Sequence, residues 1–155
     1  MNRHTALTLV MAGLFGSAAL VAQGFNVRTG AWQMTVTIVG MPKMEGIPPA
    51  MRAQMEAEMR KPRTVTACIT ADDVKSLNLG KIDDDDKNCK VVSSKITPTV
   101  GDVVRQCTGD EPRTETAHFE TSSPQAMKAT VASKSADDSQ TVSLVGKWLS
   151  ADCKE

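Results

Sequence analysis

From residue 31 onward the sequence repeats with a period of two, and that rhythm confines the fold more than any other feature. In 31–39, Trp32, Met34, Val36 and Ile38 alternate with Gln33, Thr35 and Thr37. The alternation sorts apolar and polar side chains onto opposite faces of an extended, half-buried strand. Six further runs read the same way, over 64–69, 90–97, 103–108, 113–121, 127–134 and 141–149. Turn residues separate them: Pro98 and Gly101-Asp102, Gly109-Asp110 with Pro112, Ser122-Ser123-Pro124, and Asp137-Asp138. In the last run Val142, Leu144, Gly146 and Trp148 share a face, and Gly146 marks a bend or a close backbone approach.

Two stretches break the rhythm. Residues 50–61 read as a helix, with Pro49 at its first position and Pro62 stopping it. Thr70-Ala71-Asp72-Asp73 is a helix start, with Thr70 capping and two carboxylates at the positive end of the dipole; this helix ends near Asn78-Leu79-Gly80. Seven short strands and two short helices predict a mainly β fold with minor α. It is a curved antiparallel sheet or partly open barrel with the helices packed on or across it. The tetrad Asp83–Asp86 reads as a solvated acidic loop, since it lacks the spacing of a calcium loop.

The core of such a sheet is short of aromatic rings. The whole chain holds three Phe, two Trp and no Tyr, and Phe25, Trp32, Phe119 and Trp148 are the rings beyond the N-terminal segment. Aromatic residues normally supply much of a small core's buried area. Covalent staples therefore matter, and Cys68, Cys89, Cys107 and Cys153 provide them. No two are closer than 18 residues and no C-x-x-C occurs, which argues against zinc and dithiol redox sites. Of the three possible pairings, a meander from Cys89 onward favours Cys89–Cys107 with Cys68–Cys153. It places Cys89 and Cys107 at one end of a hairpin and Cys153 at the other. A non-meander topology would favour Cys68–Cys89 with Cys107–Cys153.

Disulfides require an oxidising compartment, and the N-terminus supplies an address. Arg3 and His4 form a basic head, Ala6 to Leu20 an apolar run, and Ser17, Ala18, Ala19 and Ala22 the small residues of a cleavage region. This is the layout of a signal peptide over 1–22, cut after Ala22, or after Ala18 or Ala19. The mature chain, 23–155, is then one periplasmic, disulfide-stapled β-rich domain without a transmembrane span. Charge is balanced at 18 basic and 18 acidic residues, which leaves no electrostatic basis for nucleic-acid binding.

No catalytic constellation is legible. His118 is the single histidine of the mature chain and reads as a strand residue, at the surface or half-buried; no nucleophile elbow accompanies it. No catalytic residue, metal ligand set or cofactor is therefore assigned. The compositional outlier is methionine, with nine residues. Met41, Met44, Met51, Met55 and Met59 fall close together, and Met51, Met55 and Met59 lie along one helix face. The plain reading is packing of this flexible side chain against the sheet. The functional readings are a ligand or partner surface, or a soft-metal site. A row spaced i, i+4, i+8 runs about 12 Å along a helix, so it cannot converge on one ion by itself.

These stretches together resemble an exported bacterial family, domain of unknown function family 3617. The likeness rests on GAWQMTVTIVGMP (30–42), the Met-rich PPAMRAQMEAEM (48–59), TVTACITADDV (64–74), CKVV (89–92), the strand end at Cys107 and the closing GKWLSADC (146–153). The resemblance implies a periplasmic, disulfide-bonded, mostly β domain and carries no activity. The expected function is thus non-enzymatic: binding of an apolar ligand or a protein partner in the cell envelope. The alternative is Cu(I)-type metal binding or oxidant scavenging through the Met-rich segment.

Overall fold

The alternation seen in the sequence becomes a single antiparallel sheet in a computed structural model that describes residues 24–79, 88–109 and 111–153. The expected signal peptide and the tetrad Asp83–Asp86 lie outside the described residues. In chain order the elements are β1 (Gly30–Gly40), α1 (Pro49–Met59), β2 (Arg63–Ile69), α2 (Ala71–Ser76), β3 (Cys89–Ile96), β4 (Val100–Cys107), β5 (Arg113–Ser123), β6 (Ala126–Lys134) and β7 (Ser139–Ser150). The strands lie in the order β2-β1-β7-β6-β5-β4-β3. From β3 to β7 the chain meanders. β1 then pairs with β7, and β2 and β3 are left as the two edges of an open sheet.

Directly opposite residues of antiparallel strands share a face, so the register writes the core as rows. One row runs Val36, Leu144, Ala129, Phe119, Gly101, Ile96 from β1 to β3. The row beside it runs Val65, Met34, Gly146, Met127, Thr121. From Leu144 in the first row and Met34 in the second, bulky and small residues alternate, which lets the large side chains interdigitate. Gly146 shows the need: a Cβ there would stand 2.9 Å from both Met34 Sδ and Met127 Cγ. Trp32, Met34, Phe119, Met127, Val103 and Leu144 are all nearly or fully buried in this inner layer.

β2 and β3 occupy opposite edges, and the chain leaving β2 sets out across the inner face, where Val74 and Leu77 pack on the core. α2 is the first part of that crossing. Thr70 caps it by accepting from Asp73 N, and Asp73 Oδ2 accepts in return from Thr70 N at 2.8 Å. Leu77 ends the helix in a left-handed conformation (φ 51°) and, with Leu79, is buried to within 2%. An L-residue with a branched side chain adopts that conformation only when packing compensates. Here Leu77 sits on Gly101 of β4, where a Cβ would approach Leu77 Cδ1 to 2.8 Å.

Residues 24–29 close one end of the sheet. Asn26 N donates to Pro98 O and Arg28 N to Pro124 O, each at 2.9 Å. Phe25 packs edge-to-face on Phe119 with ring centroids 6.3 Å apart. Trp32 and Trp148 satisfy their indole N–H groups on Arg28 O and Thr29 O. The four described rings, Phe25, Trp32, Phe119 and Trp148, are thus gathered at this end of the core.

Both edges are stapled. Cys68–Cys153 ties β2 to the end of β7 across β1, and Cys89–Cys107 joins directly opposed residues of β3 and β4, with Cα separations of 5.5 Å and 3.9 Å. These are the pairs the meander geometry favours. β2 and β3 are mostly exposed, and covalent attachment keeps such edge strands seated.

α1 corrects the plain reading of the methionines. It buries no residue at all, and Met51 and Met55 are 55% and 40% exposed. The cause is topological. Pairing of β1 with β2 ends at Val36 and Arg63, so the connection leaves from the end of the sheet instead of folding over its face. That face is already covered by α2, Leu77 and Leu79. α2 lies across the sheet as expected; α1 does not.

Candidate functional site

Opposite the aromatic end, the inner face changes character. β5 alternates inward as Arg113, Glu115, Ala117, Phe119, and its first two inward residues are charged. Glu115 is gripped from both sides: Arg105 Nη2 lies 3.1 Å from Oε2 and Arg113 Nε 2.9 Å from Oε1. Arg105 Nη1 also donates to Asn78 Oδ1 at 2.9 Å, which fixes the roof to the sheet. The side chains of Arg105 and Glu115 are only 14% and 12% exposed. Charges so desolvated persist only when paired and hydrogen-bonded.

Beside this network an open cleft of about 670 Å³ lies between the start of β5 and the β6–β7 turn. Val131 and Val142 form its apolar floor, and Glu111, Ser133, Asp138 and Gln140 its polar walls. Among the described residues no methionine lines it. The sequence signal that could have found the network is the inward register of Arg113 and Glu115, two charges on the face that becomes core two residues later.

The Met-rich arm, Met41 to Met59, starts from the same end. Lys43 N donates to Asp138 Oδ1 at 3.1 Å, joining the arm to the cleft's rim, and Arg60 Nη1 reaches Val39 O at 3.5 Å. Met41, Met44 and Met59 are half-buried and Met51 and Met55 exposed. Met51, Met55 and Met59 follow one helical stripe, flanked by Arg52, Gln54, Glu56 and Glu58.

His118 stands on the outer face of β5, about half exposed. Its Nδ1 lies 2.6 Å from Asp102 Oδ1 and its Nε2 3.7 Å from Glu120 Oε1. The hydrogen bond to Asp102 is the main reason its pKa is raised above 6.5, with desolvation opposing it. With both ring nitrogens facing carboxylates, neither is presented to a hydroxyl, so the geometry is that of a surface ion pair. Among the described residues the one group close enough to share a metal ion is Cys89, Cys107 and Glu115. The two sulfurs are bonded to each other and offer no thiolate. Among the described residues no helix is long and apolar enough to cross a membrane.

Sheet, staples and roof together define a small disulfide-bonded β domain with one sealed and one open end. The chain belongs to the family described as Protein of unknown function (DUF3617), whose model matches residues 27–153, from the segment before β1 through Cys153. No curated protein matches the chain, and no solved structure does.

Proposed function

We propose that this domain is a non-enzymatic binding module of an oxidising, periplasmic compartment, and that its Met-rich arm is the contact surface for a protein partner. One observation carries the reading. α1 adds nothing to the core, yet it displays an apolar stripe with Met51 and Met55 55% and 40% exposed, whereas Met34 and Met127 in the core are 3% exposed. Methionine suits surfaces that adapt to a partner, and anchors at i, i+4 and i+8 fit helix-in-groove recognition. The polar cleft, which no described methionine lines, speaks against an apolar ligand held beneath the helix. Two disulfides support the compartment.

The test is a photo-activatable residue placed at Met55 in cells producing the full chain, with Lys147 on the outer face as control. A discrete cross-linked adduct should form from position 55, not from 147, and disappear when Met51 and Met59 are changed to Ser. No adduct, or equal adducts from both positions, would overturn the reading.

A further inference from the structure

The described methionines run from two that are buried to two that are exposed, and the difference does not depend on any partner. Met34 and Met127 converge on Gly146, where a Cβ would meet Met34 Sδ, Met127 Cγ and Met127 Cε at 2.9, 2.9 and 3.1 Å. Both are 3% exposed, so almost none of either side chain is open to a dissolved oxidant. Met51 and Met55 lie one helical turn apart on α1 and are 55% and 40% exposed. The helix carrying them buries nothing, so a polar group added there disturbs no core contact.

We propose that Met51 and Met55 form an oxidative modification site: their thioethers take oxygen from peroxide-class oxidants ahead of the core methionines, and the domain stays folded when they do. With hydrogen peroxide, a sulfur lone pair attacks one oxygen and the S–O bond forms as the O–O bond breaks. Sulfur is oxidised by two electrons, and the leaving hydroxide takes the proton of the transferred hydroxyl to depart as water. The product sulfoxide is polar and chiral. It turns the apolar stripe of α1 into a hydrophilic one, while the sheet, its rows and both staples are untouched. Where methionine oxidation in a core disrupts packing, oxidation here rewrites a surface.

The experiment treats the purified full-length protein, disulfides intact, with hydrogen peroxide and follows each methionine by peptide mapping with fragment-ion localisation. Met51 and Met55 should gain one oxygen each at least about tenfold faster than Met34 and Met127, with half-buried Met41, Met44 and Met59 between. The differences should vanish in denaturant. The thermal midpoint of the doubly oxidised protein should match that of the untreated one. A Met51→Leu, Met55→Leu variant should fold normally and lose the fast phase. Core methionines reacting as quickly as Met51 in the folded protein, a fast phase that survives in the variant, or a melting temperature that falls as Met51 and Met55 react would each overturn the proposal. Because no partner takes part, these results stand or fall separately from the cross-linking test.

Discussion

The two staples close loops of very different length, and that difference can be measured. Cys68–Cys153 spans a sequence separation of 85 and Cys89–Cys107 one of 18. Loop-closure entropy in the unfolded chain then assigns them about 4.6 and about 3.2 kcal/mol at 25 °C. Changing Cys68 and Cys153 to Ala should therefore cost about 1.4 kcal/mol more than changing Cys89 and Cys107, about tenfold in the unfolding equilibrium. Packing adds an asymmetry of its own. Cys107 is buried while Cys153 is exposed, so removing sulfur at the short loop carries a cavity cost and narrows the gap. The long-loop variant is thus the cleaner measure. Urea unfolding under non-reducing conditions should show it losing about 4–5 kcal/mol, most of the stability of a marginal domain, with a larger m-value because its unfolded chain is less compact. A loss under about 2 kcal/mol would refute the entropic account of this staple.

Gly101→Ala should destabilise. The new Cβ would stand 2.8 and 2.9 Å from the two methyl carbons of Leu77, which is buried and locked in its left-handed conformation; overpacking of about 1–3 kcal/mol outweighs the gain from removing a strand glycine. Thermal melts should drop by a few degrees, and a rise would show that Leu77 yields freely. His118 should titrate above 6.5. Its folded pKa is raised, so its contribution is fully present below the unfolded pKa and is lost as pH rises through the folded one. Half exposure keeps that contribution small. An NMR titration checks it: Asp102→Asn should lower the midpoint, and a wild-type midpoint at or below 6.5 would remove Asp102 as the cause.

The inner strands were legible because each has one wet and one dry face, whereas the mostly exposed edges β2 and β3 show only a β-branched run. Trp32, Met34 and Val36 on β1, and Val142, Leu144 and Gly146 on β7, announce themselves by period alone, and the order of the meander then placed the cysteines. Two things were not legible. The first is that β1 inserts against β7, a non-local pairing that period two does not encode. It is this insertion that sends β2 and β3 to opposite edges and makes α2 a roof. The second is the fate of the Met stripe. Helical spacing says which residues share a face but not whether anything lies opposite, and at α1 the roof had already taken the place. At the open end, the charges of Arg105, Arg113 and Glu115 were visible singly. Only the register brings them onto one inner patch.

The contact between β1 and β7 also sets an order of events for a polypeptide delivered N-terminus first. The indole of Trp148 reaches back 119 residues to the carbonyl of Thr29, so β1 waits for the last strand before its second edge is paired. Non-local pairing of this kind is slow. Cys89 can meet Cys107 as soon as one hairpin has emerged, whereas Cys68 remains a free thiol until Cys153 arrives. Throughout that interval it is open to a wrong partner, and loss of Cys153 would make the interval permanent.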